Sequence, residues 1–268
     1  MSQSFIFSIE GNIGSGKSSF LEVLKRYFVD IQIKKEPVDK WTKVGDDCES
    51  NLLDLFYNDP ARWSYTFQTR SSFTKAIDYD NLNAPVVFTE RSWMSDRYVF
   101  TETLHEMNMM TKLEKDMHND WYNWLLKKTP KIDAIIYLKA SPNICFGRLL
   151  NRNRNEEASM NFGYLNVVDK KYNDWLITNN AHNIPVLIID TDDDFEDIEH
   201  RNLEIIDKLT SKFPFLNRFK RNKDVDYHSG GSDDDSASWK TVYNRKYKKF
   251  SKKPFNMKMI RNNDDQKT

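Results

Sequence analysis

Cysteine is nearly absent from this chain: its 268 residues include only Cys48 and Cys145. Two thiols nearly a hundred residues apart make neither a disulfide framework nor a metal-ligand pattern. Both are expected to be reduced packing residues of an intracellular protein. Long hydrophobic runs are missing too. None approaches the ~20 residues that span a bilayer, so no membrane contact is expected. A first apolar strand is expected from about residue 4, which leaves no room for a signal or transit peptide. The expected location is therefore the cytoplasm. Glycine is scarce at eight residues, yet Gly11, Gly14 and Gly16 fall within six positions. Ordered glycine costs backbone entropy, so this clustering needs a reason.

The length allows one large α/β domain or two small ones. With 39% hydrophobic residues, a chain of this size can bury roughly three-quarters of its unfolded surface. Net charge is zero, but the sum hides two opposite parts. Residues 217–268 hold 14 Lys/Arg against 7 Asp/Glu, and residues 1–216 hold 26 against 33. Apolar segments at 5–9, 85–88, 135–138 and 185–189 look like buried parallel strands, and 30–35 is a weaker fifth. Helical spacing is expected over 18–28, 61–80, 95–107, 112–127, 142–152, 166–179 and 195–213. Pro60 and Pro142 suit first helical turns. Strands alternating with helices imply an α/β fold with a parallel sheet covered on both faces. Ligands then bind beyond the carboxyl ends of the strands, where Glu10, Glu36, Glu90, Lys139 and Asp190 fall.

The clustered glycines follow the first strand in FIFSIEGNIGSGKSSF. Gly11-Asn12-Ile13-Gly14-Ser15-Gly16-Lys17-Ser18 matches the phosphate-loop template G-x-x-x-x-G-K-[ST]. Glycines let successive N–H groups converge on an anion, and the following helix adds its positive end. Lys17 reaches β- and γ-phosphates, and the Ser18 hydroxyl can ligate Mg²⁺. Glu90, at a strand tip beside the loop, can hold the same ion, and Arg91 can clamp a transferring phosphoryl group. Pro37 forces Glu36 out of helical geometry, which fixes a carboxylate able to take a proton from an attacking hydroxyl. Arg148 and Arg152 share a helix face, with Arg154 just beyond, and together they could form a cationic lid over polyphosphate. The bland reading of those arginines is a solvated helix end. Trp63 and Phe73 read as core aromatics.

Four blocks then carry a resemblance: KEPVDKW (35–41), FYNDPARWSYTFQ (56–68), FTERSWMSDRYVF (88–100) and NRNRNEE (151–157). In order and content they resemble the deoxynucleoside kinases, a family that includes deoxycytidine and deoxyguanosine kinases, mitochondrial thymidine kinase and a broad-specificity insect enzyme. The likeness covers the chain from about residue 5 to residue 213. It implies the three-layer P-loop NTPase fold with a five-stranded parallel sheet. It also implies transfer of the ATP γ-phosphate to the 5′-hydroxyl of a deoxynucleoside, with Mg²⁺ as cofactor, by a homodimer. Carried over by position, Glu36 becomes the general base, Lys17 the phosphate-stabilising cation, and Arg91 the bridge between 5′-oxygen and phosphoryl group. Ser18 and Glu90 hold the metal. The loop from Gly11 through Ser19 cradles the donor, with Arg152 and Arg154 as lid and Arg148 near the donor nucleotide. Gln68 reads the base, Phe100 stacks on it, and Trp41 and Phe67 wall the pocket. Tyr57 and Glu157 bind the 3′-hydroxyl. Asp192, Asp194 and Phe195 match the region that contacts the donor base.

Specificity rests on two departures. Where cytidine- and guanosine-preferring relatives pair an Arg with the Asp of the Ser-Asp-Arg-Tyr block, this chain has Lys75 with Asp96. Lysine lacks the planar fork of arginine. The retained charge pair implies a preference for amine-bearing bases over thymine, and Phe56 is expected to reshape the pocket. Three alternatives stay in view. A thymidylate-type monophosphate kinase shares the fold and an Asp-Arg-Tyr block. A GTP-dependent switch would need an Asn-Lys-x-Asp motif that the chain lacks. A binding module would use the tail, where Lys240 to Arg261 holds nine basic and no acidic residues, interleaved with Trp239 just before it and four aromatics within it. The division expected is a kinase domain over 1–216 and a disordered basic tail over 217–268. Such a tail could contact single-stranded nucleic acid or an import receptor, the latter giving a nuclear location.

Overall fold

In the computed structural model, residues 4–152, 160–179, 183–193 and 199–221 are described. Five parallel strands form one sheet: β1 (Phe5–Glu10), β2 (Ile31–Lys34), β3 (Val86–Glu90), β4 (Ala134–Lys139) and β5 (Val186–Asp190), in the order β2-β3-β1-β4-β5. All six residues of β1 are buried, which is why the segment reads as a continuous apolar run instead of an alternating one. β1 is the central strand, so its carboxyl end faces the crevice between crossovers. The register sets Ile9 opposite Glu90 and Glu10 opposite Tyr137, which brings the acidic tips of β1 and β3 together at that end.

The helices in chain order are α1 (Lys17–Tyr27), α2 (Asp39–Thr42), α3 (Leu52–Asn58), α4 (Pro60–Ile77), α5 (Trp93–Ser95), α6 (Thr101–Glu106), α7 (Lys112–Lys128), α8 (Pro142–Arg152), α9 (Phe162–Asn173) and α10 (Glu199–Lys212). The pleat sorts the sheet's side chains between two cores. Phe5, Phe7, Ile9, Val86, Phe88, Ile136 and Leu138 pack against α1 and α10, with the Phe7 and Phe88 rings stacked at 4.8 Å. Ile6, Val87, Ile135 and Tyr137 pack on the opposite face with Leu104, Leu125, Leu165 and Tyr172 of the other helices. This is the expected three-layer α/β arrangement.

Several boundaries differ from those expected. α4 starts at Pro60 because Asp59 caps it, accepting from Arg62 N at 3.2 Å, and it gives way to a 3-10 turn at Asp78–Asn81. The expected helix over 95–107 is interrupted by a π segment, Asp96–Phe100, a local widening common near functional sites. α9 begins four residues early because Asn161 accepts from Tyr164 N at 2.8 Å. The short α2 and α3 were not anticipated. They have too few turns for periodicity to show, and burial of Trp41, Leu52 and Phe56 holds them. Phe73 is a correction: it is 49% exposed, because α4 turns Gln68, Ser71, Ser72 and Lys75 inward and leaves Phe73 on the outer face. Trp63 does pack against the core.

Beyond residue 216 the described chain stays on the fold, with Val29 N donating to Phe219 O at 2.7 Å and Arg221 N to Tyr27 O at 2.9 Å. The basic segment from Lys240 to Arg261 lies outside the described residues. Among the described residues, no helix is long and apolar enough to cross a membrane.

Candidate active site

The loop after β1 has the geometry its glycines foretell. Gly14 has φ +83°, and a Cβ there would sit 2.5 Å from the Cys145 carbonyl oxygen. A Cβ on Gly11 would sit 2.5 Å from Ser15 Oγ and 2.6 Å from the Leu138 oxygen. Only glycine fits at either position. Asn12 pins the loop from beneath, its amide donating to Leu165 O at 3.0 Å and its Oδ1 accepting from Ile13 N at 2.8 Å. Ser15 is fully buried, and its carbonyl accepts from Thr191 Oγ1 at 3.1 Å. Lys17 curls over the loop and donates to Gly11 O and Asn12 O at 3.1 and 2.7 Å. Burial first, and the Arg91 charge next, push its ammonium down to about 7. A polyphosphate would act in the opposite sense.

Beside the loop, two acidic strand ends converge on Arg91. Ser18 Oγ donates to Glu90 Oε1 at 2.7 Å. Arg91 holds a left-handed backbone, φ +58°, a strained conformation for a residue with a long side chain. It points its guanidinium inward. Nη1 pairs with Glu36 Oε2 at 2.7 Å, Nη2 donates to Gly11 O at 3.3 Å, and Nε donates to Tyr172 Oη at 3.3 Å. Tyr172 in turn donates to Glu10 Oε2 at 3.3 Å. Glu10 is fully buried and also accepts from Ser8 Oγ, Ser92 Oγ and Ser92 N at 2.6, 2.9 and 3.1 Å. Burial alone would raise the Glu36 carboxyl, but Arg91, Lys75 and Lys17 together outweigh it and hold it at about 2.

The far end of the cleft is aromatic with a charged floor. Phe56 and Phe67 stack at 4.6 Å, Trp41 meets Phe67 edge-on at 5.4 Å, and Phe100 lies under the Arg91 guanidinium at 5.0 Å. Lys75 Nζ contacts Asp96 Oδ1 at 2.7 Å and Glu36 Oε1 at 3.2 Å. Ser71 and Ser72 hydroxyls donate to the two Asp96 oxygens at 3.2 and 3.1 Å. Gln68 is buried, and its Oε1 has no hydrogen-bond partner among the described residues. A single cleft of about 660 Å³ runs from Gly14, Lys17 and Ser18 to Gln68, Asp96 and Phe100. That size suits a small-molecule site. One end has the phosphate-loop geometry, the other is walled by aromatic rings over a charged floor, and a carboxylate–guanidinium pair stands between them.

A model of the deoxynucleoside kinase family matches residues 7–213. The chain belongs to the deoxynucleoside kinase family. It is 39% identical over 208 residues to a probable deoxycytidine kinase of fowlpox virus, covering 75% of this chain and 85% of that one. It is 36% identical over 217 residues to a mitochondrial deoxyguanosine kinase of Xenopus laevis, covering 70% and 82%. It is also 36% identical over 220 residues to human deoxycytidine kinase, covering 71% and 85%. The chain is an enzyme that phosphorylates deoxynucleosides, with ATP as phosphoryl donor.

Within the kinase, the cleft gathers most of the residues singled out from sequence. Ile13, Gly14, Gly16, Lys17, Ser18, Ser19, Glu90, Arg91, Arg148 and Arg152 line its phosphate half. Glu36, Trp41, Phe56, Tyr57, Phe67, Gln68, Lys75, Asp96 and Phe100 line the rest. Gly11, Asn12 and Ser15 are buried beneath the loop. Asp192 lies off the cleft lining. Its carboxylate accepts from Ser141 N at 2.6 Å, and its carbonyl accepts from Arg148 at 3.3 Å. Arg154, Glu157, Asp194 and Phe195 fall outside the described residues. Sequence reasoning assigned no role to Glu10 or Tyr172, and did not single out Lys35, Ser71, Asn151 and Tyr164, which also line the cleft. Glu10 stood at a strand tip and carried a signal. Tyr172 carried none, because its partner Arg91 is 81 residues away along the chain.

The donor set beside the loop suits magnesium. Ser18 Oγ and Glu90 Oε1 are hard oxygen donors already in contact, at 2.7 Å. Among the described residues, no cluster of three or more His, Cys, Asp or Glu could form an all-protein cage. Magnesium in phosphoryl transfer uses one or two protein ligands plus phosphate and water.

Proposed function

We propose that this kinase transfers the γ-phosphoryl group of ATP, with Mg²⁺, to the 5′-hydroxyl of deoxynucleosides whose base carries an exocyclic amine, in preference to thymidine. The observation that carries this reading is the buried Lys75–Asp96 pair at 2.7 Å on the floor of the base end, next to the unpartnered Gln68 Oε1. A carboxylate only accepts hydrogen bonds and an ammonium only donates. An amine beside a ring nitrogen or carbonyl satisfies both. Thymine would set its O4 lone pairs against a carboxylate, at the cost of an unmade buried hydrogen bond. Relatives named deoxycytidine and deoxyguanosine kinase agree with this reading.

Glu36 accepts a hydrogen bond from the 5′-hydroxyl and orients it toward the γ-phosphorus. As the new O–P bond forms and the β,γ-bridging O–P bond breaks, the hydroxyl proton passes to Glu36 and ADP departs. A carboxyl held at about 2 is a weak base, so positioning dominates and the proton moves late. That suits the loose transition state of phosphoryl transfer. Arg91 and Lys17 face the negative charge on the transferring group. When bound by Ser18 and Glu90, Mg²⁺ supplies charge neutralisation on the phosphate oxygens.

The test is phosphorylation of the four deoxynucleosides and their monophosphates, with Glu36→Gln as control. The expected result is deoxycytidine or a deoxypurine leading by kcat/KM, and a Glu36→Gln enzyme slowed by about 10²-fold or more. Thymidine in the lead overturns the base reading. Acceptance of a monophosphate alone overturns the acceptor.

The kinase is also proposed to act as a homodimer through α4 and α7. Phe73 and Ile77 on α4 and Leu113, Met117, Trp121 and Trp124 on α7 are exposed, at spacings that set each group on one helix face. Sedimentation should give a dimer that Trp121→Glu dissociates, whereas a monomeric parent enzyme would rule the dimer out.

A further inference from the structure

Behind Asp96 lies a buried polar chain that the reaction does not touch. His118 of α7 is 1% exposed. Ser72 Oγ of α4 is 3.1 Å from Asp96 Oδ2 and 3.2 Å from His118 Nε2, and Thr101 Oγ1 at the start of α6 is 3.1 Å from His118 Nδ1. The proton order follows from what each group can do. The Asp96 carboxylate has no hydrogen to give, so the single hydroxyl hydrogen of Ser72 goes to it. The Ser72 oxygen then accepts from His118, which assigns the hydrogen to Nε2. Burial pushes the His118 pKa down, so the ring is neutral and Nδ1 accepts from Thr101. His118 is therefore linked through Ser72 to Asp96, without lying in the cleft itself.

We propose that His118 is a specificity-determining positioning residue that keeps the Ser72 hydroxyl aimed at Asp96 and so fixes the carboxylate that recognises an exocyclic amine. This rests on the base preference proposed above. Without the Nε2–H donor, the Ser72 hydroxyl is free to turn to a carbonyl in the preceding turn of its own helix, as serines in helices do. Asp96 then loses a donor and its fixed orientation, and amine recognition weakens. Thymidine, which gains nothing from that carboxylate, is little affected.

The test compares kcat/KM for deoxycytidine and thymidine in the full-length parent enzyme, His118→Leu, His118→Gln and Ser72→Ala, each checked by thermal unfolding. His118→Leu should lower the deoxycytidine-to-thymidine ratio about tenfold, the scale of one hydrogen bond to a charged group, through the deoxycytidine KM and with the ATP KM unchanged. His118→Gln, whose amide can donate from the same side, should restore the ratio. Ser72→Ala should reproduce the loss and serves if His118→Leu does not fold. An equal fall for both substrates, or an unchanged ratio in His118→Leu and Ser72→Ala, overturns the proposal and leaves His118 a packing residue. A parent enzyme that favours thymidine overturns the base reading separately, because the shift on substitution is read against whatever ratio the parent shows.

Discussion

Lys17 and Lys75 are almost equally buried in one cleft, at 5% and 4% exposure, yet their ammonium groups are driven in opposite directions. Burial works against the charge of both. For Lys75, Asp96 and Glu36 overcome it and raise the pKa. For Lys17 the partners are two backbone carbonyls, with the Arg91 charge nearby, and the pKa falls to about 7. The base end is thus a closed electrostatic circuit in which Asp96, Lys75, Glu36 and Arg91 alternate in sign. The phosphate-loop end is open in the sense that, among the described residues, the Lys17 ammonium rests on backbone carbonyls and makes no ion pair with a carboxylate. Both lysines are buried, but of the two only Lys75 is in ion-pair contact with carboxylates among the described residues.

The largest effect should come from breaking the closed circuit. Lys75→Met keeps the length of the side chain and removes its charge, leaving Asp96 and Glu36 buried and underpaired. A loss of about 3–5 kcal/mol in unfolding free energy is expected, read from urea denaturation. A change well under about 1 kcal/mol would mean that Ser71, Ser72 and Arg91 suffice and that Lys75 is not structural. The pH dependence has a definite sign. Glu36 is held at about 2 in the folded enzyme, below an unfolded value of roughly 4.3. Its contribution is complete above that value and is lost as pH falls toward 2. In Lys75→Met the Glu36 carboxyl rises, so acid unfolding should begin at higher pH than in the parent enzyme.

The same contrast explains how much could be read from sequence. The phosphate end is one contiguous stretch, Gly11 to Ser18, whose backbone geometry forces particular residue types. Glycine at φ +83° with a carbonyl 2.5 Å from its would-be Cβ is visible as a glycine. The three central strands were legible for a similar local reason, since strands buried on both sides leave apolar runs. The base end is assembled from α2, α3, α4 and the π segment at Asp96–Phe100, and its contacts cross long stretches of chain. Family likeness placed Gln68, Lys75 and Asp96 there. No local pattern could show that Lys75 also reaches Glu36, that Tyr172 links Arg91 to Glu10, or that His118 stands behind Ser72. Phe73 misled for the complementary reason: an aromatic residue in a helix reads as core unless the polar stripe on its far side is recognised as the pocket wall.

The open end gives the sharper test, because the two lysines should fail differently. Lys17→Met removes an ammonium that burial already disfavours, and the two carbonyls it leaves belong to a loop also pinned by Asn12 and Thr191. Folding stability should therefore fall by less than in Lys75→Met. Catalysis should suffer instead. Without Lys17 the charge on the transferring phosphoryl group goes unanswered, and kcat should drop about 10²–10³-fold, the scale of one lost charge-stabilising donor. The drop should be the same for every deoxynucleoside, because Lys17 is remote from the base. Deoxynucleoside affinity, followed by tryptophan fluorescence through Trp41 in the pocket wall, should stay near that of the parent enzyme. If Lys17→Met instead unfolds as readily as Lys75→Met, the phosphate end is not open, and the lysine is part of what holds the loop together.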